Sequence, residues 1–163
     1  MAVVLDGGIA VARIMPTIQT AKGRKKARRI DQPELGRFWA GFSFPIFVYV
    51  EIQQAYSEDG KGALFQTGTG YGMILQALSD SQVMAGRAVA FEEVRSQEWK
   101  GHFGIPSKEQ GGEGRAAEVC QRLFPKVNLL ASKRCRKPHS GMVDALLIAE
   151  YARRVVGRGE VAP

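Results

Sequence analysis

Phe44-Pro45-Ile46-Phe47-Val48-Tyr49-Val50-Glu51-Ile52 is almost unbroken β-branched and aromatic sequence, with seven apolar residues running straight into a carboxylate. Such a run predicts a strand buried on both faces, as in a parallel or mixed central sheet. Glu51 at its end then risks desolvation, and an isolated buried charge is costly unless it is paired or metal-bound. Either Glu51 emerges into solvent, the commoner fate of a strand-end glutamate, or it has a partner elsewhere in the chain.

Upstream, Ala2 to Leu5 and Ile9 to Ile14 are β-rich runs around Asp6-Gly7-Gly8, which predicts a hairpin. A basic loop over 20–30 follows as a mobile connection. Asp31, Pro33 and Glu34 then mark the start of a short helix through Leu35, Phe38 and Trp39. Downstream, the Gly-rich stretch Gly60 to Gly72 leads into a helix over Met73 to Leu78, and Arg87 to Val94 reads as a second strand, with Val89 and Phe91 alternating. Short helical segments are expected near Trp99 and from Arg115 to Leu123, with Gly111, Gly112 and Gly114 breaking the chain between them. The last helix begins near Ser140 as N-cap and runs through Met142, Val143, Leu146, Leu147, Tyr151 and Val155. The class is α/β, a mixed sheet with helices on its faces, forming a single domain over 1–156 and a flexible tail over 157–163.

The 163 residues are 45% apolar and 24% charged, which excludes disordered and fibrous chains. The two cysteines lack C-x-x-C spacing, no signal-peptide core is apparent, and no apolar run approaches the roughly twenty residues of a membrane helix. The expectation is a reduced cytoplasm, of a bacterium or a phage-infected host, with no membrane partner. The net charge of +7 points to a polyanion. Its basis is focused: Lys22, Arg24, Lys25, Lys26, Arg28 and Arg29 form one cluster, and Lys133, Arg134, Arg136 and Lys137 another. Outside these two, thirteen basic residues face sixteen acidic ones. One such segment is as readily a solvated loop as a phosphate contact, whereas two in a small domain tilt toward nucleic acid.

Asp144 is the second carboxylate of interest. On a helix it aligns with Ile148 and Tyr151, which should face inward, although an acid near a helix N-terminus is also stabilised by the helix dipole. Glu51 and Asp144 matter together only if the fold joins strand end to helix start. His139 could ligate a metal or act as a base, and equally could be a surface loop histidine beside Pro138 and Ser140; His102 has no distinguishing context. Two Cys and two His without close pairing do not make a zinc site. Gly68-Thr69-Gly70-Tyr71-Gly72 has the wrong order for a dinucleotide fingerprint and lacks the Lys-Ser/Thr of a P-loop, so helix packing or close backbone approach to a phosphate explains it better.

Several ordered segments resemble one family. They are Arg28-Arg29-Ile30-Asp31, Tyr49-Val50-Glu51-Ile52-Gln53-Gln54-Ala55-Tyr56, Asp59-Gly60-Lys61-Gly62 through Gly70-Tyr71-Gly72, Glu98-Trp99-Lys100 with Phe103-Gly104, Leu123-Phe124-Pro125, and Asp144-Ala145-Leu146-Leu147-Ile148-Ala149-Glu150-Tyr151. In this order they are similar to the RuvC-like Holliday-junction resolvases of the ribonuclease H-like fold, in the branch that includes phage, bacterial and plant chloroplast enzymes. The resemblance implies a metal-dependent endonuclease that resolves four-way DNA junctions in recombination and repair. It assigns Glu51 and Asp144 to a Mg²⁺ site, with Mn²⁺ as a substitute, and implies two-metal phosphodiester hydrolysis. The two basic clusters and Lys61 would grip junction arms, Tyr56 or Phe65 could stack on an unpaired base or simply pack, and two symmetric cuts imply a homodimer. Against the family pattern, the chain is expected to begin at the second strand, without a counterpart of the first catalytic Asp. His139 is the one substitute for a further acid or histidine that precedes the last carboxylate. A catalytically inactive junction binder is therefore the competing expectation, and an RNA-binding module or another ribonuclease H-like nuclease, such as one acting on RNA–DNA hybrids, is a third.

Overall fold

A computed structural model of the chain describes residues 1–4, 10–22, 25–42, 46–53, 60–84, 89–107 and 110–157. Among these the order is β1 (Ala2–Val4), β2 (Ala10–Ala12), β3 (Thr17–Lys22), β4 (Lys25–Ile30), α1 (Gln32–Ala40), β5 (Ile46–Glu51), α2 (Lys61–Met84), β6 (Val89–Val94), α3 (Ser96–His102), α4 (Gly112–Leu123) and α5 (Ser140–Gly157). The fold is mixed α/β. The described strands pair two by two, β1 with β2, β3 with β4 and β5 with β6. The chain divides into two compact units, one made of Met1–Ile14, Tyr49–Glu51 and Glu92–Pro163, the other of Met15–Val48 and Ile52–Phe91.

The first unit is built on α5. Its apolar residues recur at helical spacing, and Met142, Val143, Leu146, Leu147 and Ile148 are all buried. They join Trp99 from α3, Ala116, Val119 and Cys120 from α4, and Val94, Phe124 and Leu129 in one core, against which Ala2, Val4 and Ala12 also pack. The expected hairpin is present: β1 and β2 are antiparallel with Ala2 opposite Ala12 and Val4 opposite Ala10, while its turn lies outside the described residues. The helix of this unit that follows the glycines starts earlier than expected, because only Gly111 acts as the breaker. It takes φ 84°, left-handed, and leaves Gly112 and Gly114 inside α4. Gly112 is required by close approach: its N–H donates to the Ser107 carbonyl at 2.9 Å, and a Cβ there would collide with the Pro106 carbonyl oxygen. Ser140 is the first helical residue of α5 and not its N-cap. The His139 carbonyl accepts the Met142 and Val143 N–H groups at 2.9 and 3.1 Å, so the cap position falls one residue earlier.

In the second unit the basic run is not a mobile connection. Strands β3 and β4 form an antiparallel ribbon with Thr17 opposite Ile30, Ile18 opposite Arg29, Gln19 opposite Arg28 and Lys22 opposite Lys25. Charge content was a poor guide, since a two-stranded ribbon open to water accommodates long cationic side chains while Thr17, Ile18, Thr20 and Ile30 supply β propensity. The Asp31 N–H closes the base on the Pro16 carbonyl at 2.9 Å. Asp31 then caps α1 as expected, its Oδ1 accepting the Glu34 N–H at 3.0 Å, and Leu35 and Trp39 are buried where α1 packs on α2.

Helix α2 begins at Lys61, well before the expected Met73, so Gly62, Gly68, Gly70 and Gly72 are helical. Each glycine costs a helix interior about 1 kcal/mol, but tertiary packing overrides propensity. Ala77 and Leu78 are buried, and the position of a Gly70 Cβ lies 3.7 Å from Ile30 Cδ1, ordinary packing distance. The G-x-G-x-G sequence is thus part of a helix and not a phosphate loop. Strand β5 also departs from expectation. Phe47 is 38% exposed and only Val50 is fully buried, because among the described residues β5 has one strand neighbour, β6. No described helix is long and apolar enough to cross a membrane.

Candidate active site

Glu51 ends β5 and Asp144 stands in the second turn of α5, both in the first unit. The Trp99 indole N–H from α3 donates to Glu51 Oε1 at 3.2 Å. Trp99 is wholly buried, so this donor is held by core packing, and the strand-end glutamate has a partner inside the unit instead of emerging alone into water. Asp144 is raised from 3.8 to about 6, first by burial and then by the negative charge of Glu51; Lys100 opposes the rise and Glu113 adds to it. The same carboxylate, after burial itself, pushes the Cys120 thiol up to about 11, which makes Cys120 an inert core residue. Strand end and helix start therefore converge electrostatically.

Trp99, Lys100 and Glu113 were not singled out by sequence as members of this neighbourhood. Lys100 also lies over the Trp99 ring, with Nζ 5.2 Å from its centroid. About two turns further along α5 lies a second cluster. Tyr49 and Tyr151 meet edge to face at 5.9 Å, and His102 approaches Tyr151 at 5.3 Å. Burial, then a hydrogen bond with Glu92, pushes the Tyr49 hydroxyl up, so it stays protonated. Glu150, buried at 5% exposure, accepts from Arg153 Nε and Nη2 at 2.8 and 2.9 Å and from Arg154 Nε at 2.7 Å. Burial alone would raise its carboxyl, but the arginine bonds outweigh that and hold it below the usual range.

His139 is not simply a surface side chain. Its Nδ1 is buried and has no hydrogen-bond partner among the described residues, and its ring covers Gly141, whose Cβ position lies 3.3 Å from Cε1. Among the described residues no group of three His, Cys, Asp or Glu side chains converges to hold a metal. Glu51 and Asp144 are hard oxygen donors, and a dication held by them would offset the cost of ionising Asp144, which burial and then Glu51 raise. The residues present thus suit one such ion.

Of the candidate nucleic-acid contacts, Arg28 and Arg29 are exposed on β4, Lys25 and Lys26 belong to the same strand and Lys22 to β3. Arg24 and Tyr56 lie outside the described residues. Lys61 is exposed at the first position of α2, and Phe65 is 73% exposed on that helix. Lys133, Arg134, Arg136 and Lys137 are exposed on the coil before α5. An open groove of about 410 Å³ between Phe124, Val127, Leu130, Arg136 and Pro138 lies on this coil; neither Glu51 nor Asp144 lines it.

No family model and no curated protein matches the sequence. Solved structures do. The chain is similar to Thermus thermophilus RuvC in complex with a Holliday junction substrate, at 15% identity over 88% of this chain and 87% of that one, with a TM-score of 0.51. A second structure of Thermus thermophilus RuvC matches at 17% identity over the same shares, with a TM-score of 0.49. The likeness shows a RuvC-like fold.

Proposed function

We propose that the protein is a metal-dependent, structure-selective endonuclease that hydrolyses a phosphodiester bond at four-way DNA junctions. Residues 1–156 would act as one ribonuclease H-like domain with a mixed central sheet, and the protein would work as a homodimer in a bacterial or phage-infected cytoplasm. The observation that carries this reading is the convergence of Glu51 and Asp144, which makes one carboxylate raise the other. The RuvC-like fold supports it.

Glu51 and Asp144 would hold Mg²⁺, or Mn²⁺ in its place. When bound, the ion supplies Lewis-acid activation of water and charge neutralisation at the phosphate. Trp99 fixes one oxygen of Glu51 through its indole N–H. Asp144, raised to about 6 by burial and then by Glu51, is still mostly ionised at neutral pH and would meet a cation as a carboxylate. His139 is the third catalytic candidate through its unpartnered Nδ1. The exposed basic residues, including Lys61 and the 133–137 cluster, would bind duplex phosphates, and Tyr56 would stack at the branch point.

A second reading is a junction-binding protein without cleavage, since among the described residues no group of three His, Cys, Asp or Glu is arranged to hold a metal. A Mg²⁺ titration against a labelled four-way junction, with a parallel gel shift, separates the two. Paired symmetric nicks that vanish in Glu51→Gln, while junction affinity stays within about twofold, are the expected result. Binding without nicking by the wild-type chain would replace the first reading by the second.

A further inference from the structure

The β3–β4 ribbon bears cations on both faces. Adjacent residues of a strand take opposite faces, and residues directly opposite in an antiparallel pair share one. The register therefore sets Arg28 with Gln19 on one face and Arg29 with Ile18 on the other. Both arginines are exposed, and Ile18 is 47% exposed beside Arg29. The adjacency is repeated in sequence by Lys25-Lys26, and no acidic residue occurs between Gly7 and Ile30. At its base the ribbon is anchored, with Ile30 against α2 at Gly70 and the Asp31 N–H on the Pro16 carbonyl.

A surface that follows one phosphate strand needs cations on a single face. Cations on both faces of a thin ribbon fit a slot with two anionic walls. The major groove of B-DNA, about 12 Å wide, admits a two-stranded ribbon between its phosphate strands. Six residues of extended strand span roughly 20 Å, enough to cross it. Like charges crowded on a hairpin disfavour it in isolation, and the same walls would remove that penalty. We propose that the β3–β4 ribbon enters the major groove of a duplex arm, with Arg28 toward one phosphate strand and Arg29 toward the other, and with Gln19 and Ile18 beside the base edges. This rests on the reading of the partner as branched DNA and specifies how its arms are held.

The test uses the full chain in EDTA with a plain 20-base-pair duplex and a four-way junction, comparing wild type, Arg28→Gln, Arg29→Gln and the double variant. Thermal melts confirm that each is folded. Each single substitution should flatten the slope of log affinity against log salt by about 0.9, and the double by about twice that. Dimethyl sulfate should show guanine N7 protected on the arm by wild type and unprotected by the double variant. A slope change from only one arginine, or protection of adenine N3 in the minor groove in place of guanine N7, overturns the proposal. Metal-dependent nicking is scored separately on the same junction: nicking without N7 protection removes the ribbon from the groove and leaves the nuclease, while N7 protection without nicking does the reverse.

Discussion

Replacing Asp144 by Asn should abolish cleavage and stabilise the fold. The carboxyl moves from 3.8 to about 6 on folding, through burial first and then the Glu51 charge. Unscreened, such a rise is worth roughly 3 kcal/mol against the folded state at neutral pH. Asp144 is only half-buried, and solvent screening reduces this to on the order of 1–2 kcal/mol. The sign follows from the protons bound. Between 3.8 and about 6 the folded chain holds a proton that the unfolded chain has released, so stability falls as pH rises through that window and is flat above it. Asparagine cannot ionise and removes the decline. Urea unfolding in EDTA at several pH values should show Asp144→Asn more stable than wild type at pH 7.5 by about 1–2 kcal/mol, with the two curves converging toward pH 3.5. Equal stability at pH 7.5, with equal slopes between pH 4 and 6, would refute the claim that burial and Glu51 act on Asp144.

Glu150→Gln should destabilise the first unit by about 1–3 kcal/mol, because Arg153 and Arg154 lose a buried acceptor but retain some solvent. Since the native carboxyl titrates below 4.5, the wild-type advantage should be full at neutral pH and fade as pH falls through that region, which acid-denaturation midpoints of the two proteins will show. Gly112→Ala should cost about 2 kcal/mol or more and lower the melting temperature, since its Cβ runs into the Pro106 and Ser107 carbonyls; an unchanged melt would mean that the loop yields freely.

Several features were legible in the sequence because local chemistry fixes them. The Asp31 cap, the β1–β2 pairing and the apolar spacing of α5 needed no distant information. Glu51 stood out by an apolar run before it, and Asp144 by its place on an inward helix face, yet their meeting is a property of the fold. Trp99, Lys100 and Glu113 were missed as neighbours of these acids for the same reason, since nothing in their spacing ties α3 or α4 to β5. The family-like Glu98-Trp99-Lys100 segment was the only signal. Where composition stands in for geometry the reading fails: the cationic residues expected in a loop form the β3–β4 ribbon, and the glycines expected ahead of a helix at Met73 lie inside α2. The two-faced burial expected of β5 failed similarly, because an apolar strand does not reveal how many neighbours cover it.

The packing of β1 and β2 on α5 has a consequence for synthesis. Ala2, Val4 and Ala12 pack against a core that α5 completes, so the hairpin leaves the ribosome long before residues 140–157 are made. At about 5–20 residues per second the wait is on the order of ten seconds. During it the segments 15–48 and 52–91 can already assemble, whereas the core of the first unit must close late and across the greatest chain separation it contains. Nascent chains stalled before Ser140 should therefore be the species that recruits chaperones, and any lesion that delays or weakens α5 should appear as lost yield before it appears as lost activity.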